Sequence, residues 1–344
     1  MTASIESTLP SHSGECVAKQ PSDATGSGVD AAGSRVPDFF VVGHPKCGTT
    51  ALYEMLRRHP QIYMPELKEP IFFASELSPR AHRYRAPATL REYLSLFDDA
   101  PPGQRVGEAS ASYLWSPTAP GRIAQVAPDA RIVAILREPA SFLRSLHLQC
   151  LQSRYETERD LRRALTLEEA RRRGQSLPWR SRWPQVLLYS DYVRYVEQLR
   201  RYSALFAPEQ MLVLIYDDFR RDNEATVRRV LRFLEVDDIA GVDTLEANPS
   251  VRVRSPRLDD LIHAVSIGQG GARALKAPLI ALTPRRLRRG AIRTIRRRML
   301  VGAPPPPDEA LMLELRRRYR PEVVALSEYL GRDLVALWGY DRLG

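Results

Sequence analysis

From residue 39 onward, short unbroken apolar runs alternate with longer stretches of mixed polarity. Phe39-Phe40-Val41-Val42 is one such run, and Arg131-Ile132-Val133-Ala134-Ile135-Leu136 and Met211-Leu212-Val213-Leu214-Ile215-Tyr216 are two more. Runs this short, apolar at successive positions and rich in β-branched residues, predict strands buried on both faces. Between them, Thr49, Thr50 and Ala51 open a helix that runs toward His59-Pro60. A helix is predicted over 188–206, with Tyr192, Val196 and Leu199 toward the core, and another over 223–234. Strands alternating with helices predict an α/β fold, a parallel sheet flanked by helices. The pattern treats 37–344 as a single domain with two helical insertions, a highly charged one at 154–182 and another at 267–307 closed by four prolines. Residues 1–36, rich in Ser, Gly, Thr and Ala, read as a disordered tail.

The first run leads into Gly43-His44-Pro45-Lys46-Cys47-Gly48-Thr49-Thr50. A strand, a tight glycine loop and a helix start leave several backbone N–H groups pointing outward with no helical partner. Lys46 adds a positive charge within the loop. Such a P-loop-like arrangement suits a phosphate or a close chemical relative. It is not a Walker A loop. Gly43 and Gly48 keep the G-x-x-x-x-G spacing, but Thr49-Thr50 stands where Lys-Ser/Thr is required, and the lysine lies inside the loop.

With Lys46 before the second glycine, the loop resembles the 5′-phosphosulfate loop of sulfotransferases that use 3′-phosphoadenosine 5′-phosphosulfate (PAPS). The resemblance implies that Lys46, Cys47, Gly48, Thr49 and Thr50 hold the 5′ end of PAPS. Arg137 at the end of the second run, followed eight residues later by Ser145, is similar to the family's 3′-phosphate site. An arginine can grip a phosphate through two parallel charge-assisted bonds, and a serine hydroxyl supplies a neutral donor. Lys68-Glu69-Pro70-Ile71-Phe72-Phe73 resembles a segment of the carbohydrate-type enzymes, including those acting on heparan sulfate, which implies that Glu69 is the catalytic base. An alcohol needs a group to take its proton as it attacks. His44 and His147 are the other candidate bases. Gly107-Glu108-Ala109-Ser110-Ala111-Ser112-Tyr113 resembles a further family stretch, with Ala109 where a lysine is common, and Glu108 is expected to orient substrate, buttress Lys46 or pack. The late Arg-Lys-Gly-x-x-Gly motif of phenol and steroid sulfotransferases does not occur; Arg252, Arg254 and Arg257 are the candidates for its task. The implied activity is transfer of a sulfuryl group from PAPS, as co-substrate, to a hydroxyl of a sugar, glycolipid or secondary metabolite. A P-loop kinase or nucleotidase, or a non-catalytic phosphonucleotide-binding protein, is the alternative.

Composition narrows the partners. The 344 residues carry a formal net charge of +10, concentrated between Asp260 and Asp308, where ten Lys and Arg meet no acid. The stretch 273–298 suits an anionic partner. It reads as a peripheral membrane-surface helix, a lid over the donor, or a solvated surface. No nucleic-acid partner is expected, because the stretch has no aromatic residue for stacking. Cys16, Cys47 and Cys150 are too few and odd in number for a disulfide framework. No Cys/His cluster has zinc spacing, and no metal is expected, since lysine, arginine and backbone donors can stabilise the transferred charge. With neither a secretory leader nor a long apolar run, the chain reads as cytoplasmic.

Overall fold

The computed structural model describes residues 35–77, 86–178, 184–238, 252–253, 301–302 and 304–343. Its centre is a five-stranded, all-parallel sheet: β1 (Phe39–Val41), β2 (Ile62–Tyr63), β3 (Arg105–Ala109), β4 (Arg131–Leu136) and β5 (Met211–Ile215), in the order β2-β3-β1-β4-β5. β1 lies between β3 and β4, with Val41 opposite both Ala109 and Val133. Every residue of β1 is fully buried, and so are all of β4 beyond Arg131, as a sheet covered by helices on both faces requires. The chain first builds outward to one side of β1 and then to the other, so the C-terminal end of β1 is the switch point where an open α/β sheet binds its ligand.

Helices supply the crossovers. α1 (Thr49–Arg57) buries Ala51, Leu52, Met55 and Leu56 and stops before Pro60. α2 (Leu90–Leu94) and α3 (Ala119–Val126) flank β3. α4 (Pro139–Ser153) follows β4, with proline at its first position and the Glu138 carboxylate accepting from the amides of Ala140 and Ser141. The expected insertion at 154–182 contains α5 (Leu161–Thr166) and α6 (Glu168–Arg172). It is braced internally by a buried ion pair between Arg171 and Glu156 at 2.8 Å, and Tyr189 beyond it donates to Glu156 at 3.0 Å.

Three expectations need correction. The helix over 188–206 is two helices, α7 (Tyr189–Tyr192) and α8 (Tyr195–Ser203). The side-chain amide nitrogen of Gln198 donates to the carbonyls of Asp191 and Tyr192, which a continuous helix would have paired internally, and the Val196 backbone N–H donates to the Glu322 carboxylate. The third strand ends at Ile215, and Tyr216 opens α9 (Tyr216–Arg221), whose first turn holds Asp217 and Asp218, charges that favour a helix start. Arg35 and Val36, expected in the tail, are packed: Val36 is buried and the Arg35 guanidinium donates to the carbonyls of Pro101 and Gln104. The rest of the expected tail lies outside the described residues.

α10 (Asn223–Phe233) agrees with its expected range to within a residue. β6 (Arg252–Val253) and β7 (Val301–Gly302) form a small antiparallel pair, and β6 packs against α4. The long α11 (Glu309–Leu330), capped by Asp308 and Gly331, lies across α4 and α8, and α12 (Leu334–Leu337) follows. The last turns reach back to the ends of β4 and β5. Arg332 forks onto Asp218 at 2.5 and 2.9 Å, the Trp338 indole donates to Asp217 at 3.0 Å, and the Tyr340 hydroxyl donates to Glu138 at 2.7 Å. Among the described residues no helix is long and apolar enough to cross a membrane.

Candidate functional site

The sheet register gathers three loops at one edge. The residues after β1, β3 and β4 leave the sheet side by side, and backbone bonds continue past the strands, from Val42 to Val133 and from Leu114 to Val42, both 2.9 Å. Gly43 lies so close to β4 that a Cβ there would sit 2.3 Å from the Ile135 nitrogen. Lys46 and Gly48 both take left-handed backbone, φ +66° and +88°, which turns the loop sharply into α1. A Cβ on Gly48 would also strike the Phe219 ring. Gly48 caps α1 without a side chain, and no acid stands in the first turn. The amides that open α1 therefore face the site without the carboxylate that α4 has. Thr49 is buried and Thr50 half-buried. The Cys47 side chain is fully buried, and burial pushes its thiol up to about 12, so it serves as packing.

Arg137 follows β4 as Lys46 follows β1. Its guanidinium donates to the Lys46 carbonyl and to the Ser141 hydroxyl, both at 3.1 Å, and lies 4.7 Å over the Tyr216 ring. Its own carbonyl accepts from Tyr195 at 2.9 Å. Arg144, two turns along the same face of α4, donates to the Pro305 carbonyl. Burial and the neighbouring Arg137 lower the pKa of both Lys46 and Arg144. These shifts describe three cations held near one another. Glu138 is occupied in capping α4, in its bond from Tyr340 and in an approach from Arg316 at 3.7 Å. Such a cluster of cations suits an anionic ligand.

Ser141 is a direct partner of Arg137, and Ser145 lies one turn further on in the buried part of α4. Ser141 could have been found from the spacing, since residues four apart share a helix face.

Glu69 stands at the same edge. Its amide donates to the carbonyl of Ala109, the last residue of β3, at 3.1 Å. Its carboxylate pairs with the Lys68 ammonium at 2.7 Å, and its side chain is 43% exposed. Glu108 is fully buried and accepts from the Tyr93 hydroxyl at 2.9 Å. Burial raises its acid to about 7, against the pull of the Ser110, Tyr93 and Tyr113 hydroxyls, and the Glu69 charge adds to the rise. The Glu69 charge thus bears on Glu108, whereas the charge that bears on Lys46 is that of Arg137.

The two histidines are enclosed. His44 is fully buried among Phe142, Tyr192 and Tyr195. Its Nε2 meets Gln198 Oε1 at 2.8 Å, and because the Gln198 nitrogen is donating elsewhere, that ring nitrogen carries the proton. Burial holds His44 down to about 3. His147 donates from Nε2 to the Glu158 carbonyl at 2.8 Å and is 3% exposed. The His44 Nδ1 has no hydrogen-bond partner among the described residues but is sealed in the core, and both rings are closed off from solvent. Arg252 lies on β6, which borders α4; Arg254, Arg257 and the 273–298 stretch lie outside the described residues. Among the described residues no three His, Cys, Asp or Glu side chains gather as metal ligands.

Known proteins resemble this chain in sequence and fold. A family model for the sulfotransferase domain matches residues 36–247. Mouse carbohydrate sulfotransferase 15 is 26% identical over 272 residues, covering 64% of this chain and 46% of that protein. Human bifunctional heparan sulfate N-deacetylase/N-sulfotransferase 3 is 28% identical over 207 residues, covering 59% of this chain and 22% of its own. The chain thus spans about half the length of the first relative and less of the second. The crystal structure of a sulfotransferase from Alicyclobacillus acidocaldarius superposes with a TM-score of 0.54 at 28% identity, over 75% of this chain and 99% of that one. With a matching domain model over more than half its length, and a lysine-bearing glycine loop at the switch point of a parallel sheet, the chain belongs to the sulfotransferase-domain family.

Proposed function

We propose that this chain transfers a sulfuryl group from PAPS to a hydroxyl of a sugar, glycolipid or secondary-metabolite acceptor. The observation that carries the reading is the bond from the Arg137 guanidinium to the Lys46 carbonyl, which joins the arginine after β4 to the lysine loop beside an α1 start that has no acidic cap. PAPS supplies an activated sulfuryl group with adenosine 3′,5′-bisphosphate as the leaving group. The loop from Lys46 to Thr50 holds the 5′ end through backbone N–H groups and the lysine. Arg137 and Ser141, with Ser145 behind them on α4, hold the 3′ phosphate. Glu69 takes the proton of the acceptor hydroxyl as its oxygen bonds to sulfur and the sulfur–oxygen bond to the phosphate breaks. Lys46 neutralises the oxygen that departs, an effect worth roughly 3 kcal/mol per well-placed donor in a dry site.

The names of the relatives support a carbohydrate acceptor. The charge of 273–298 supports an anionic acceptor or a membrane surface near it. Two measurements test the reading: calorimetric binding of adenosine 3′,5′-bisphosphate, and transfer of labelled sulfate from PAPS to a panel of sugars, glycolipids and phenols. Tight bisphosphate binding with transfer to at least one hydroxyl is expected. Binding no tighter than that of adenosine 5′-phosphate would remove the 3′-phosphate site and with it the reading.

A further inference from the structure

The segment that carries Glu69 is not one the chain would hold unaided. Glu69 has φ +60° and Ile71 has φ +54°, with Pro70 between them. Left-handed backbone is uncommon for any side chain and a real outlier for a β-branched one. A residue before proline is also pushed toward extended geometry. Two such residues persist only where the surroundings over-determine them.

The surroundings do so through three alternate amides. Glu69 N–H donates to the Ala109 carbonyl at 3.1 Å, Ile71 N–H to the Ser110 hydroxyl at 3.1 Å, and Phe73 N–H to the Tyr113 hydroxyl at 3.2 Å. Residues 69, 71 and 73 are thus fastened to the end of β3 and the turn that follows it. The outer fastenings are secure by other means. The first is made by the backbone, and the third lies in a cluster where Phe73 packs against Phe40, Tyr93 and Tyr113. The middle one rests on a single hydroxyl. It grips Ile71, two residues from the carboxylate-bearing position, and Ser110 is itself fully buried.

We infer that Ser110 is a positioning residue for Glu69. By accepting from the Ile71 amide it pins the left-handed turn on the far side of Pro70, and so fixes where the Glu69 carboxylate stands at the end of β3. This rests on the reading of Glu69 as the base. Without the hydroxyl, the Ile71 amide loses its buried acceptor and the turn is free to relax toward extended geometry. The donor loop, which stands on β1, keeps its shape.

The test is a double-mutant cycle on full-length protein, with Ser110→Ala, Glu69→Gln and both together, read by labelled-sulfate transfer and by calorimetry with adenosine 3′,5′-bisphosphate. Ser110→Cys is measured alongside, because it keeps nearly the same volume with only a weak acceptor, should the alanine variant not fold. A displaced catalytic group costs on the order of 10- to 100-fold. Both Ser110 variants should lose turnover by about that factor while bisphosphate affinity stays within twofold. Glu69→Gln alone should lose about 10²–10⁴-fold. In the Glu69→Gln background Ser110→Ala should cost nothing further, since a position no longer used cannot be lost twice. An equal loss in both backgrounds, or wild-type turnover in both Ser110 variants, overturns the inference and leaves the base in place. Wild-type turnover in Glu69→Gln overturns the base and Ser110's role together. Failure of the parent chain to bind the bisphosphate is the separate outcome that rejects the donor reading.

Discussion

Arg137 binds protein through two of its nitrogens, one on the Lys46 carbonyl and one on Ser141. It therefore couples the 5′ loop to the proposed 3′ site and is pre-oriented before any ligand arrives. Arg137→Ala should weaken adenosine 3′,5′-bisphosphate binding by roughly 1.5–3 kcal/mol, the range for a lost charged hydrogen bond. The same substitution should leave adenosine 5′-phosphate binding much less affected. Calorimetry with the two nucleotides separates the outcomes, and an equal loss for both would assign Arg137 to the loop rather than to the 3′ phosphate. Glu108 makes a prediction of a different kind. Its acid is raised to about 7 in the fold, from an ordinary 4.5, by burial first, with Tyr93, Ser110, Tyr113 and Glu69 as its neighbours. A raised pKa means that its contribution to stability is fully present below about 4.5 and is lost as pH climbs through about 7. Urea midpoints of the parent should fall across that window relative to Glu108→Gln, whose amide does not titrate. Parallel midpoint curves for the two proteins would refute it.

The glycine loop is an element set by its neighbour as much as by its own sequence. Gly43 is required because the backbone of Ile135 occupies the place of a side chain, so Gly43→Ala must push two adjacent strands apart. A loss of about 1–3 kcal/mol, or more, is expected. Thermal melts should show it, and bisphosphate affinity should fall too, because the loop and Arg137 stand on the strands being separated. An alanine variant with unchanged melting and binding would refute it. This contact also shows what the sequence could convey. β1, β4 and most of β5 were legible as runs of apolar residues, because a strand covered on both faces must be apolar throughout. The lysine and glycines were legible because the loop's chemistry is local. The break between α7 and α8 was not, since what breaks the helix is Gln198 reaching back and Glu322 arriving from α11. The Arg137–Ser141 bond was legible only as a four-residue spacing at the start of α4, which by itself names no phosphate. Ser110 drew no role of its own, because its bond to Ile71 depends on how two loops meet.

At the scale of the whole molecule, charge is the feature that remains open to measurement. Ten cations without an acid over 273–298 create a screened field, so association with an anionic polymer or vesicle should weaken as salt rises and the Debye length falls below about 8 Å. Retention on a sulfated polysaccharide column, and cosedimentation with anionic vesicles, are the two measurements. A loss of both when Arg285, Arg286, Arg288 and Arg289 become Ser is expected. Retention of either at full strength in that variant would place the anionic contact elsewhere on this basic chain.

The proposed phosphate grip stands on the ends of β4 and β5, and those ends are fastened from a distance. Tyr340 holds the cap of α4, Trp338 holds Asp217, and Arg332 holds Asp218. The final stretch of the polypeptide therefore works as a latch on the donor pocket. Loss of residues 332–340 leaves every loop residue in place and removes all three fastenings. Donor affinity should consequently report on the integrity of a stretch that lies more than a hundred residues along the chain from the groups it steadies.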